Sequence, residues 1–153
     1  MNIVFLDFDG VLNTNDSLRG ELRIHADKIR NFYYLIDQTN AEVVISSSWR
    51  YDDDLYLNAM KIACNEFDPN KFYYIKNRII GTTPHIDSCN RELEVLHYVY
   101  ENDVKNFIAI DDNPNWNNIH NIFPNNPDWL IETNPNIGFN LIQLKLAIKK
   151  LMK

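Results

Sequence analysis

Apolar residues along the chain follow two different spacings. Short continuous apolar runs, which are typical of strands covered on both faces of a parallel sheet, occur at Ile3–Leu6, at Val43–Ile45 and within NFIAIDD (106–112). Longer segments carry apolar residues three and four positions apart, which indicates amphipathic helices. These segments are Ile24–Thr39, Asp52–Phe67, Arg91–Glu101 and Gly138–Met152.

Two further segments are predicted to contain strands. The sequence KFYYIKNRIIGTTP (71–84) is rich in aromatic and β-branched residues, and DWLIET (128–133) contains a short apolar run. The alternation of strands and helices predicts a three-layer, Rossmann-like α/β fold with a central parallel sheet and right-handed crossovers. No repeat or flexible linker interrupts the 153 residues, so we expect one domain over 1–153.

The composition is that of a soluble globular protein and argues against a membrane protein. Hydrophobic residues make up 45% and charged residues 24% of the chain, which is ordinary for a soluble globular protein. No apolar run reaches the roughly 18 residues of a membrane span, and the first residues do not resemble a secretory signal. Cys64 and Cys89 have no metal-ligand spacing and are interpreted as reduced thiols. We therefore expect a cytoplasmic location and no membrane partner.

The net charge of −6 argues against a protein that holds nucleic acid through a broad basic face, although a local basic groove is compatible with it. Asparagine is concentrated in residues 113–126. A polar binding loop is one interpretation of this segment. We prefer the interpretation that biased composition fills solvated turns.

Three of the buried runs end in polar residues. Asp7 and Asp9 follow the first, serines from Ser46 onward follow the second, and Asp111 and Asp112 end the third. Because the carboxyl ends of parallel strands share one edge of the sheet, these groups are expected to converge. Carboxylates brought together repel one another unless a cation is present, and Mg²⁺ suits carboxylates combined with phosphate. A calcium-binding EF-hand loop is excluded, since that loop requires glycine and glutamate where this chain has leucine.

These residues carry a family resemblance. DFDGVLN (7–13) resembles the DxDG(T/V)L motif of the haloacid dehalogenase (HAD) superfamily, VVIS (43–46) resembles its second motif, and AIDD (109–112) resembles its fourth. Arg91 fits the third motif, a Lys or Arg near the start of the helix before the fourth-motif strand. ETNPNIGFN (132–140) is similar to the tail of small members.

The resemblance implies an Mg²⁺-dependent phosphatase that hydrolyses phosphate monoesters through an aspartyl-phosphate. Asp7 would be the nucleophile and Asp9 the general acid and base. Ser46 and Arg91 would stabilise the phosphoryl group. The implied substrate-binding residues are Gly10, Ser47 and Arg50, and the implied metal ligands are Asp7, Asp9 through its carbonyl, Asp111 and Asp112.

For several of these site residues, another residue or another role is also compatible with the sequence. A shift of one residue in strand register would give the role of Ser46 to Ser47, and any serine of 46–48 could cap the next helix. Arg50 could face solvent rather than phosphate. The histidines lack metal-ligand spacing, and tryptophans are more often packing groups, although two follow motifs closely enough to flank the site. The rivals of Arg91 are Lys76, Arg78 and Lys105, and the two tryptophans are Trp49 and Trp116.

The connections have no room for a large cap domain. Residues 14–42 allow a loop and one helix, and 67–90 are also too few. A capless relative has an open active site, which suits a bulky substrate such as a phosphorylated nucleic-acid end, or needs an oligomeric neighbour to exclude water. Nucleic acid is therefore expected only as a substrate, beside small phosphorylated molecules, and a homo-oligomer could cover the site.

Two other classes of protein are compatible with parts of the pattern. A receiver-type signalling domain also has a phospho-accepting aspartate and acidic Mg²⁺ ligands, but its acidic pair and its acceptor lie on different strands. A binding module that keeps the fold and has lost turnover is the second alternative. The complete set of Asp7, Asp9 and Asp111 favours the hydrolase over both.

Overall fold

A five-stranded parallel sheet forms the centre of the structure. The computed structural model describes residues 1–15, 23–86, 90–112 and 128–153. The strands lie in the order β3-β2-β1-β4-β5, so consecutive strands are added first on one side of β1 and then on the other. Their bounds are Asn2–Leu6 (β1), Glu42–Ile45 (β2), Ile79–Thr82 (β3), Asn106–Asp111 (β4) and Leu130–Glu132 (β5).

Five α-helices accompany the sheet in these ranges. They are Ala26–Thr39 (α1), Asp53–Asn65 (α2), Pro69–Arg78 (α3), Arg91–Glu101 (α4) and Leu141–Leu151 (α5), and a short 3-10 helix spans Ser48–Tyr51. Polar residues fix several helix starts: the side chain of Asn90 accepts from the Leu93 amide before α4, and Asn140 and Gln143 form a capping box at α5.

The segment 71–84 contains the predicted strand and also part of a helix. A strand is present, but it is limited to Ile79–Thr82, and the aromatic residues before it belong to α3. The reason is local: Asp68 caps the helix through the Asn70 amide, and Pro69 occupies the first turn, where its missing N–H costs nothing. These start signals override the β propensity of the aromatic residues.

Two hydrophobic clusters cover the two faces of the sheet. Alternate residues of β1 divide between them: Val4 and Leu6 pack with α1, α2 and α5, whereas Ile3 and Phe5 pack with Val95 of α4. Helices therefore lie on both faces of a buried parallel sheet, and the predicted three-layer, Rossmann-like α/β architecture is confirmed.

The connections at the carboxyl edge are short. Residues 7–25, 83–90 and 112–129 separate successive described strands and helices, and each stretch is shorter than a folded domain of about 50 residues. In the described ranges, no helix has the length and apolar character needed to cross a bilayer. Cys89, Trp116, His120 and the asparagine-rich segment 113–126 lie outside the described residues.

Candidate active site

The central strand β1 places Asp7 where the strand order reverses. The Asp7 amide donates to the carbonyl of Ile110 on β4 (3.1 Å), and the Ser46 amide donates to the carbonyl of Leu6 (2.9 Å). Asp111 ends β4 beside them. The polar ends of three neighbouring strands thus meet at the crevice where α/β proteins bind ligands.

Arg91 connects two of these carboxylates. Its Nη1 lies 2.7 Å from Oδ2 of Asp7 and 2.9 Å from Oδ2 of Asp111. Arg91 is the first residue of α4, so the positive end of the helix dipole lies on the same side. Burial of the guanidinium by itself lowers the pKa of Arg91, but the charges of the two nearly buried carboxylates and the hydrogen bonds to them hold this pKa above its ordinary value.

The rivals of Arg91 have other surroundings. Arg78 lies 3.7 Å from Glu42 at the start of β2, and Lys105 pairs with Asp103. Lys76 lies in the last turn of α3. Of the four basic residues considered from the sequence, the structure brings Arg91 to the acidic pair.

Three aspartates form the acidic centre of the site. One carboxylate oxygen from each of Asp7, Asp111 and Asp112 lies within 4.8 Å of the others, and among the described residues no other group of His, Cys, Asp or Glu is so arranged. The pKa of Asp7 is raised to about 7, mainly by burial and next by the charge of Asp111, while the charge of Arg91 opposes the shift. Burial and Asp111 raise the pKa of Asp112 to about 6.

This donor set fits Mg²⁺. Hard oxygen ligands are what the ion prefers, and several carboxylates in one buried place are stable as anions only beside a cation. The pKa values of Asp7 and Asp112 are raised because the charge of Arg91 alone does not offset burial and the repulsion between the carboxylates. A bound cation would favour the ionised forms.

Asp9 lies outside the acidic centre. Its Oδ2 accepts the indole N–H of Trp49 at 3.0 Å, and its Oδ1 accepts from the side-chain amide of Asn13 at 2.9 Å. The carboxylate is therefore directed to these donors and not to the group formed by Asp7. This agrees with the expectation that Asp9 would offer a metal its carbonyl rather than its side chain, and metal binding by Asp9 stays a prediction.

Gly10 allows the loop after Asp9 to turn against Asp112. Its φ is +73°, and a Cβ at this position would lie 2.1 Å from Oδ2 of Asp112. The Gly10 amide donates to Asn13 and its carbonyl accepts from Thr133. Both polar backbone groups of Gly10 thus have partners within the protein, one in the same loop and one after β5, and direct contact of Gly10 with a substrate stays a prediction.

The serines after β2 divide into different environments. Ser46 and Ser47 are buried, whereas Ser48 is exposed. The Ser47 hydroxyl hydrogen-bonds to Asp7, which lowers the pKa of that carboxyl, and it accepts from the Trp49 amide. The alternative that a one-residue shift would favour Ser47 therefore has geometric support, since Ser47 contacts the expected nucleophile.

The side chain of Arg50 contacts other protein groups. A substrate phosphate or solvent was expected in that place. It forms a 2.9 Å ion pair with Glu94 of α4, and the two side chains are only 7% and 5% exposed. Its Nη1 also donates to the carbonyls of Ser46 and Ser47 at 3.1 and 3.3 Å. Arg50 thus ties the serine loop to the helix that carries Arg91. Substrate binding by Arg50 stays a prediction.

Sequence reasoning missed three residues of the site. Asn13, Thr133 and Glu94 contact motif residues, but none belongs to a motif position that was interpreted. The spacing of three residues from Arg91 places Glu94 on the same side of α4, but it does not reveal the contact of Glu94 with Arg50. Thr133 contacts Gly10 only through tertiary folding.

The comparison with protein families agrees with this geometry. A family model described as the HAD domain in Swiss Army Knife RNA repair proteins matches residues 3–144. The chain belongs to this family, and the HAD resemblance inferred from the motifs is confirmed. The searches of curated proteins and of solved structures gave no significant match.

Proposed function

We propose that the chain is an Mg²⁺-dependent phosphatase that forms an aspartyl-phosphate on Asp7. The observation that carries this proposal is the contact of one guanidinium nitrogen of Arg91 with both Asp7 and Asp111. It puts a fixed positive charge beside the expected nucleophile, where the oxygens of a transferred phosphoryl group would need it. Membership of the HAD family supports a phosphatase over other reaction types.

The proposed reaction has two steps. A carboxylate oxygen of Asp7 attacks phosphorus, the bond from phosphorus to the leaving oxygen breaks, and Asp9 gives that oxygen a proton. Asp9 then takes a proton from water as the water attacks phosphorus, which releases inorganic phosphate and restores Asp7. Arg91 and the Ser47 hydroxyl stabilise the negative phosphoryl oxygens in both steps.

Asp7, Asp111 and Asp112 would hold the metal ion through their carboxylates. When bound there, Mg²⁺ supplies positive charge that favours ionised Asp7 and offsets charge on the phosphoryl group. Without such a charge, the pKa of Asp7 near 7 leaves much of this carboxyl protonated and unreactive at neutral pH.

The proposed substrate is a phosphorylated RNA end. The family is described from RNA repair proteins, and the stretches 7–25, 83–90 and 112–129 are each too short for a cap domain of about 50 residues. A net charge of −6 implies that the terminal phosphate, rather than a broad basic face, provides the main contact. We also propose that a second copy of the chain covers the open carboxyl edge of the sheet. A cytoplasmic location is proposed because Cys64 is a buried free thiol.

A substrate panel tests the proposal. Phosphate release is measured from oligoribonucleotides with a 3′- or 5′-phosphate, matching oligodeoxyribonucleotides, p-nitrophenyl phosphate, a sugar phosphate and a phosphopeptide, in Mg²⁺ or in EDTA. We expect release only in Mg²⁺ and fastest from RNA, loss in Asp7→Asn, and full activity in Asp54→Asn, which changes an exposed aspartate of α2.

Other outcomes would overturn it. Stable phosphorylation of Asp7 without turnover would indicate a receiver-type domain. Ligand or metal binding with neither phosphorylation nor release would indicate a binding module. Faster release from another substrate would keep the phosphatase and reject the RNA end.

A further inference from the structure

Two N–H groups fix the carboxylate of Asp9. The indole Nε1 of Trp49 donates to one oxygen at 3.0 Å, and Nδ2 of Asn13 donates to the other at 2.9 Å. Both distances are those of well-formed hydrogen bonds. Each oxygen of this carboxylate thus has its own donor, which is more than an exposed surface aspartate needs.

Trp49 is itself held rigidly. Its ring is 6% exposed and stacks on Phe8, with centroids 5.1 Å apart and planes 23° apart; Phe8 stacks in turn on Tyr56 at 5.6 Å. Its amide donates to Ser47. Because Phe8 stands between Asp7 and Asp9 in the sequence, the stack fixes the indole relative to both acids.

The chemistry of the indole limits what Trp49 can do. Its N–H donates a hydrogen bond and cannot accept one, so Trp49 cannot exchange a proton with Asp9. Its hydrogen bond restricts the rotation of the carboxyl group. A general acid works well when its proton already points at the leaving oxygen, because the entropy cost of that alignment then does not add to the activation barrier.

We propose that Trp49, assisted by Asn13, is a positioning residue that aims Asp9 at the leaving oxygen. This inference rests on the proposed phosphatase function. Its consequence depends on the leaving group: an alkoxide must be protonated as it departs, whereas p-nitrophenolate is stable as an anion and departs without a proton. The contribution of Trp49 is therefore large for an alkyl phosphate and small for p-nitrophenyl phosphate.

Trp49→Phe is the informative change, because it keeps an aromatic ring against Phe8 and removes the N–H. The matched control is Trp129→Phe, which alters a half-buried tryptophan that contacts Phe107 in the other hydrophobic cluster. The value of kcat/KM is measured for β-glycerol phosphate and for p-nitrophenyl phosphate. The value of kcat/KM reflects only the steps up to and including the phosphorylation of Asp7. It therefore reports on the step in which Asp9 acts as an acid.

We expect Trp49→Phe to lose about 10- to 100-fold in kcat/KM on the alkyl phosphate, which is less than the roughly 10²–10⁴-fold that a general acid contributes in full, and less than about 3-fold on p-nitrophenyl phosphate. Trp129→Phe should change both values little and equally. An equal loss of kcat/KM on both substrates in Trp49→Phe would show that the indole has only a structural role, and it would overturn the proposal. An unchanged kcat/KM on both substrates would overturn it as well.

A second measurement does not need the Trp49 variant to fold or the protein to be active. In protein labelled with ¹⁵N-tryptophan, Asp9→Ala should move the Trp49 indole N–H signal upfield and leave that of Trp129 in place, with signals assigned from Trp129→Phe and Trp116→Phe. An unmoved Trp49 signal would overturn the proposal. An inactive wild type with a moved signal would instead reject the phosphatase and leave the Trp49–Asp9 contact established.

Discussion

The Nη1 atom of Arg91 lies 2.7 Å from a carboxylate oxygen of Asp7, at the point where a nucleophile and an anionic phosphoryl group would meet. The same nitrogen contacts Asp111 on the next strand. One positive charge therefore serves two buried carboxylates, and burial still leaves the pKa of Asp7 raised to about 7. Binding of a cation beside Asp7 and Asp111 would offset the repulsion between these carboxylates and their burial, and the predictions below test it.

Replacing Arg91 should impair both the reaction and the binding of phosphate. We expect Arg91→Gln to lower kcat/KM by about 10²–10³-fold, the scale of losing one preorganised charged donor. Arg91→Lys should recover part of the loss, since it keeps the charge and not the fork geometry. Phosphate-release kinetics provide the measurement, with Arg30→Gln on the exposed side of α1 as the control. Equal losses in the two glutamine variants would contradict the role of Arg91.

The stability of the metal-free protein should depend on pH in a direction set by Asp7. Its pKa in the folded protein, about 7, exceeds the ordinary value of 3.8, so the folded state binds more protons between these values. The free energy of unfolding therefore falls as pH rises through this window. Asp112, with its pKa raised to about 6, acts in the same direction.

The measurement is Tm between pH 5 and pH 7.5 in EDTA, for wild type and Asp7→Asn. The wild type should lose more Tm across this range than the variant, and Mg²⁺ should restore the wild type most at the upper end, where the ligands are ionised. Parallel curves for wild type and variant would show that Asp7 does not carry the effect.

Gly10→Ala should damage the acidic centre. The new Cβ would overlap Oδ2 of Asp112 at 2.1 Å, and the φ of +73° adds strain of about 1–2 kcal/mol. We expect at least about tenfold weaker Mg²⁺ binding by calorimetry, on the scale of disturbing one ligand's geometry. Gly81→Ala is the matched control, because its Cβ would make only ordinary contact with Tyr98 at 3.6 Å. Unchanged Mg²⁺ affinity in Gly10→Ala would place the metal elsewhere.

Arg50 can be tested for a structural or a substrate-binding role. Its ion pair with Glu94 is nearly buried, and removal of one partner from such a pair costs about 3–5 kcal/mol. We expect Arg50→Gln and Glu94→Gln to lower the free energy of unfolding by similar amounts in urea titrations and to change KM alike. A rise in KM confined to Arg50→Gln would instead support direct contact of Arg50 with the substrate.

Much of the fold was readable because the local signals agreed with the tertiary structure. The run Ile3–Leu6 is buried on both faces of the sheet, as its continuous apolar sequence implied, and α4 begins and ends where its pattern predicted. The strand expected within 71–84 is present at Ile79–Thr82, but the helix before it was not predicted; the cap at Asp68 and the proline after it begin a helix in the aromatic segment. Propensity is a weak signal when a helix start is present.

The site was readable where residues follow strand ends, and unreadable where contacts depend on side-chain packing. Parallel pairing necessarily brings the ends of β1, β2 and β4 together, so Asp7, Ser46 and Asp111 could be grouped from sequence. The ion pair of Arg50 with Glu94 depends on how α4 packs over the serine loop, which no local pattern specifies. The same holds for Trp49, which looked like a packing residue and is also a donor to Asp9.

Trapping of the covalent intermediate addresses the proposed chemistry most directly. The protein is mixed with a ³²P-labelled RNA end in Mg²⁺, quenched in acid, reduced with borohydride and analysed by mass spectrometry, since borohydride converts an aspartyl-phosphate to homoserine. We expect label on the protein before reduction and, after reduction has released it as phosphate, homoserine at position 7 alone, with neither in EDTA nor in Asp7→Asn. Phosphate release that proceeds with no label on the protein, or homoserine at another aspartate, would contradict Asp7 as the nucleophile.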